Sequence, residues 1–92
     1  MPETWRDEQT DNLYAAFVSL KDIGEVGAFL EDIATIGEIK SMAQRLEVAR
    51  LLIDGMTYPE IVEATGASTA TISRVKKCLD YGTGGYNLVL AQ

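Results

Sequence analysis

The 92-residue chain contains no histidine and a single cysteine, Cys78. Without imidazole there is no His-dependent catalytic triad, and one thiol cannot by itself build a transition-metal site. An intrachain disulfide is impossible, and Cys78 is expected to be a small, partly buried filler. No apolar run is long enough to span a bilayer. The start, Met1-Pro2-Glu3-Thr4, lacks the basic residues and apolar stretch of a secretory leader, so a cytoplasmic protein is expected. No metal and no cofactor is implied.

Basic residues are also few, eight against fourteen acids, for a net charge of −6. Their distribution is uneven. Residues 1–38 hold nine acids (Glu3, Asp7, Glu8, Asp11, Asp22, Glu25, Glu31, Asp32 and Glu38) and two bases, Arg6 and Lys21. Residues 39–92 hold five acids and six bases. The second part is therefore weakly basic, and the local field at a docking face matters more than the global sum. So few bases make weak contacts with a polyanion, and two linked subunits would be needed for useful affinity. The carboxylates lie mostly between apolar positions on helix faces and no pair stands out, so an enzyme is not expected.

What is present in quantity is apolar surface: hydrophobic residues make up 47% of the chain and the mean hydropathy is +0.01. A domain this small buries a limited fraction of its surface, so the excess points to burial in an oligomer. The apolar residues recur at helical spacing. Residues 1–7 are polar and expected to be loose, though Trp5 could pack back on the body. Leu13, Phe17 and Leu20, with Tyr14 and Val18 beside them, predict a helix over 8–20. Asp22 can cap a second helix over 23–33, with Ile23, Val26, Phe29, Leu30 and Ile33 as its apolar positions. Gly24 and Gly27 there are read as marks of close packing against another helix. Thr35-Ile-Gly-Glu38 is a capping box that opens the longest helix, 36–54. Its apolar stripe is Ile39, Met42, Ala43, Leu46, Ala49, Leu52 and Ile53, and Gly55 closes it.

The most informative stretch is 57–79. Thr57 is an N-cap and Pro59 sits in the first turn of a short helix, where a missing N–H costs little. Gly66 supplies the positive φ of a tight turn, and Ser68 caps a second helix. On that helix Ile72, Val75 and Leu79 share one face. Ala70, Ser73, Arg74 and Lys77 lie opposite, with Thr69 leading. Cap, turn glycine, second cap and a small, polar, basic face in register predict a DNA-binding helix-turn-helix; the plain alternative is an ordinary αα-hairpin. Tyr81-Gly-Thr-Gly-Gly-Tyr86 shows no helical period and no phosphate-loop pattern, so a flexible connector is expected there. Asn87–Leu90 is expected to be an apolar tail packed on the body or on a second subunit.

The segments Leu51-Leu-Ile-Asp-Gly-Met-Thr-Tyr-Pro-Glu-Ile61 and Thr65-Gly-Ala-Ser-Thr-Ala-Thr-Ile-Ser-Arg74 resemble the Trp repressor superfamily. Ile39-Lys-Ser-Met-Ala-Gln-Arg-Leu-Glu-Val-Ala-Arg50 and Gly66–Leu79 resemble, more closely, its small YerC/YecD members. The resemblance spans about residues 10–88 and is diffuse before 35. It implies an all-α, Trp-repressor-like domain with a C-terminal helix-turn-helix, arranged as an intertwined homodimer with interlocked N-terminal helices. Residues 8–55 would form the dimerisation core, 57–79 the reading motif, and 81–92 the connector and tail.

By the same resemblance Thr69, Ala70 and Ser73 face operator bases, while two arginines hold the corepressor tryptophan. One aligns with Arg74 and the other with Gln44. A glycine that lines the indole slot aligns with Val75. Gln44 cannot pair ionically with a carboxylate, and Val75 would fill the slot. A phosphate or base contact is therefore the favoured role for Arg74 over ligand binding. An effector is conceivable, but tryptophan is not expected to be one. The expected function is a sequence-specific transcriptional regulator, a repressor, binding double-stranded DNA as a homodimer with residues 69–77 in the major groove. Ser68, Arg74, Lys76 and Lys77 would position on phosphates, and Thr57 and Tyr58 would add backbone contacts. The alternative is a repressor-like dimeric interaction module that does not bind DNA.

Overall fold

The computed structural model describes residues 5–92, so the expectation for residues 1–4 lies outside it. The described residues form six helices and no strand: α1 (Glu8–Val18), α2 (Ile23–Ile33), α3 (Ile36–Ile53), α4 (Tyr58–Thr65), α5 (Thr69–Tyr81) and α6 (Gly85–Leu90). None of them is long and apolar enough to cross a membrane. The chain divides into two compact units, one ending at Ile36 and the other starting at Gly37. By its contacts within the chain, α3 thus groups with the helix-turn-helix.

In the first unit each helix opens on an aspartate. Asp7 accepts from the Thr10 N–H at 2.9 Å, and Asp22 accepts from the Glu25 N–H at 2.8 Å. Both satisfy a donor that the helix cannot. α1 stops two residues short of the expected end, where the Ser19 hydroxyl donates to the Ala16 carbonyl. Phe17 and Phe29 meet edge to face with centroids 5.4 Å apart. Yet neither α1 nor α2 buries a single residue. Val18 is 85% and Ile23 91% exposed, and Trp5, expected to pack back, is 62% exposed. A Cβ added at Gly24 or Gly27 would meet only a carboxylate of its own segment, Asp22 or Glu31. Within one chain, then, no neighbouring helix explains these two glycines.

The second unit holds the core. Val48, Ala49 and Leu51 of α3 pack with Ile61 of α4, Ala67 of the turn, and Ile72 and Val75 of α5. Ala49 and Leu52 of the expected α3 stripe do pack here, Ala49 in the core and Leu52 against it, but the rest of the stripe is corrected. α3 is apolar on two sides, and the side bearing Val48 and Leu51 faces inward, whereas Met42, Leu46 and Ile53 stay exposed. The end of α3 is a Schellman arrangement: the Met56 N–H reaches the Leu51 carbonyl and the Gly55 N–H the Leu52 carbonyl, at 3.1 and 3.0 Å.

The glycine-rich segment is a helix boundary rather than a connector. The Gly82 N–H closes α5 on the Cys78 carbonyl, and a Cβ at Gly82 would collide with that same carbonyl. Gly84, at φ +84°, then turns the chain into α6. Tyr86 and Leu90 of α6 pack on the core, as expected of the tail, but in helical form. Six residues were too few to show a period among flanking glycines.

Candidate nucleic-acid interface

The helix-turn-helix is assembled from local hydrogen bonds. Thr57 caps α4 and forms a reciprocal box with Glu60: the Glu60 N–H donates to the Thr57 hydroxyl at 3.3 Å, and the Thr57 N–H donates to the Glu60 carboxylate at 2.9 Å. The Thr57 N–H and hydroxyl both donate to the Glu60 carboxylate and hold it below the usual carboxylate range. Gly66 ends α4 at φ +73°, a conformation in which a Cβ is strained, and its N–H donates to the Val62 carbonyl at 2.8 Å. Ser68 caps α5 by accepting from the Thr71 N–H at 3.1 Å.

This scaffold fixes which side of α5 faces out. Ile72 and Val75 are fully buried and Leu79 half-buried. Thr69, Ala70, Ser73, Arg74, Lys76 and Lys77 are all exposed, within an arc of about 160° at the α-helical 100° per residue. The structure therefore brings these six sequence-selected residues onto one face. Arg74 and Lys77 form no ion pair with a described residue. Lys76 is different: its ammonium lies 2.8 and 2.9 Å from the two Asp80 oxygens, and this bond raises its pKa. Thr57 is exposed, but its hydroxyl is engaged by Glu60. Tyr58 is half-buried against the core, so its ring serves packing first.

Of the two ligand positions, Gln44 is occupied: its side-chain amide donates to the Thr65 carbonyl at 3.1 Å. Val75, at 1% exposure, is packed in the core. Gln44 and Arg74 share no hydrogen bond; the Gln44 amide is turned to the Thr65 carbonyl. Cys78 is exposed, contrary to the filler expectation, because the buried stripe of α5 runs through 72, 75 and 79 and leaves 78 on its flank. It borders an apolar groove of about 520 Å³ with Leu46, Tyr86 and Val89.

Sequence reasoning missed Glu60, Thr65 and Asp80. Thr57-x-x-Glu60 has capping-box spacing and Lys76–Asp80 is an i, i+4 pair, so both were legible. The Thr65 hydroxyl donates to the Ile61 carbonyl and accepts from the Ala67 N–H, a role that depends on the turn it sits in.

Residues 8–92 match the family model of the Trp repressor protein. The chain belongs to the Trp repressor family. It is 54% identical over 85 residues to the protein YerC of Bacillus subtilis, covering 92% of this chain and 82% of YerC. A TrpR-like protein from Eubacterium eligens superposes with a TM-score of 0.90 at 49% identity, covering 94% of this chain and 89% of the other. A Staphylococcus aureus protein described as a candidate Trp repressor gives a TM-score of 0.90 at 41% identity, covering 95% and 87%. The family is one of regulatory DNA-binding proteins and not of enzymes.

Proposed function

We propose that this member of the Trp repressor family is a transcriptional repressor that binds double-stranded DNA sequence-specifically, as a symmetric homodimer in the cytoplasm. The observation that carries this reading is the outer face of α5, polar and basic from Thr69 to Lys77 and backed by a buried Ile72–Val75 side. Each subunit lays residues 69–77 in one major groove, with half-sites about one helical turn apart. Thr69, Ala70 and Ser73 face base edges. Arg74 and Lys77 reach phosphates, with Ser68, Thr57 and Tyr58 adding contacts at the helix starts.

The dimer reading rests on surface that one chain leaves uncovered. α1 and α2 bury nothing, and α3 and α6 expose Met42, Leu46, Ile53, Leu88 and Val89. Large apolar side chains left exposed on this scale mark an interaction site. Residues 8–55 supply the dimerisation core, with α3 using one side for its own core and the other for the partner. Tryptophan is not the effector, because Gln44 is engaged by Thr65 and Val75 is packed.

Selection from a random duplex library tests the function. The enriched sequence should be a palindrome with half-sites about one turn apart. Thr69→Ala and Ser73→Ala should change which sequence is enriched, and a library that shows no enrichment at low salt would sink the proposal. The second reading, an interaction module without DNA binding, draws on the excess of acids over bases in residues 1–38. It becomes the better account if the dimer forms but no duplex is retained.

A further inference from the structure

We infer that Gln44 is a positioning residue: from α3 it ties down the turn that aims the reading helix. The inference rests on the DNA-reading role proposed for α5. The side-chain bonds that build the caps described above join residues within one turn of helix. The Gln44 bond reaches across 21 residues of sequence, from α3 to the Thr65 carbonyl at the end of α4. A carbonyl only accepts, so the amide must present its N–H₂ end there. The last carbonyls of a helix have no partner within it and need one from elsewhere.

Three other groups of this turn are taken up nearby. The Val62 carbonyl accepts from the Gly66 N–H, the Ile61 carbonyl accepts from the Thr65 hydroxyl, and that hydroxyl accepts from the Ala67 N–H. Gln44 supplies the donor for the Thr65 carbonyl. Two residues beyond Ala67 α5 begins, so the orientation of α5 follows the turn that Gln44 holds. The donor belongs to the protein's own helix, and the turn is held without a small molecule. Gln44 is half-buried, so water competes with it only in part.

Hydrogen exchange and DNA binding by the full-length protein test the inference together. Gln44→Met keeps the length and loses the donor; Gln44→Glu keeps the shape and sets a carboxylate against the carbonyl. One hydrogen bond of this kind corresponds to roughly a threefold to tenfold effect. Both variants should speed amide exchange at Gly66 and Ala67 by that factor, with the α1 and α2 amides unchanged. Each should weaken binding to the selected duplex by a similar factor with the slope of affinity against salt unaltered, because Gln44 contacts no phosphate. Exchange at wild-type rates in both variants overturns the inference. So does faster exchange with DNA affinity unchanged, since the turn would then loosen without misaiming α5. A wild-type protein that binds no duplex refutes the DNA-reading role, and the exchange result still decides whether Gln44 holds the turn.

Discussion

Lys76 sits on the reading face but is paired with Asp80, and this makes Asp80→Asn an informative substitution. Both ammonium–carboxylate distances are under 3 Å, yet the two side chains are 47% and 42% exposed. An exposed pair contributes little to folding, so the variant should keep its fold and its melting midpoint. It should, however, free Lys76 for a phosphate. Counting Arg74 and Lys77 from each subunit gives four phosphate contacts for the wild-type dimer, and a slope of log K against log salt of about −3.6. Releasing two Lys76 side chains raises the count to six and the slope to about −5.4. Between 50 and 200 mM salt the wild-type affinity should then fall about 150-fold and that of Asp80→Asn about 1,800-fold. Lys77→Ala, with two contacts left, should lose only about 12-fold.

Fluorescence anisotropy of a labelled duplex across a salt series measures all three slopes. The double variant Lys76→Ala/Asp80→Asn separates a new contact from a simple loss of negative charge, because its slope should return to about −3.6. An Asp80→Asn slope equal to wild type would show that Lys76 does not face the backbone. An unchanged slope in Lys77→Ala would refute the docking face as a whole.

Sedimentation equilibrium at micromolar concentration should give about twice the 10.0 kDa chain mass. Ile23→Asp, harmless at a residue 91% exposed in a monomer, should shift the protein toward monomer or unfold it; a dimer indifferent to it would place the interface elsewhere. Calorimetric titration with L-tryptophan should show no micromolar binding, and tryptophan-dependent DNA binding would mean that Gln44 and Val75 leave room for a ligand after all. Glu60 should make stability pH-dependent. Its folded pKa lies below the usual 4.5, so its contribution is present above that value and is lost as pH falls through the lowered one. Thermal melts should therefore drop in acid, and by less in Glu60→Gln, which keeps a capping amide but does not titrate; equal acid sensitivity would remove Glu60 from the account. Ile61→Ala, at a site with no exposure, should cost about 2–5 kcal/mol by denaturant unfolding, and under 1 kcal/mol would show the core to be misplaced.

Much of this protein is decided within a few residues of sequence. Helix starts depend on one side chain reaching an N–H three positions on, so Asp22, Thr57 and Ser68 could be read directly as caps. Gly66 could be read as the turn because positive φ strains every residue with a Cβ. The two faces of α5 followed from helical spacing alone, because only one of them is apolar. Where both sides of a helix are apolar, spacing cannot choose. α3 needed its neighbours in space to show that Val48 and Leu51 turn inward while Met42, Leu46 and Ile53 do not. The same holds for Gln44 and Thr65, which meet across 21 residues. It holds too for α6, whose six residues take helical form by packing Tyr86 and Leu90 on a core built elsewhere in the chain. Local hydrogen-bond geometry and periodicity are properties of adjacent residues; partner choice between distant ones is set by packing, and only the tertiary structure contains it.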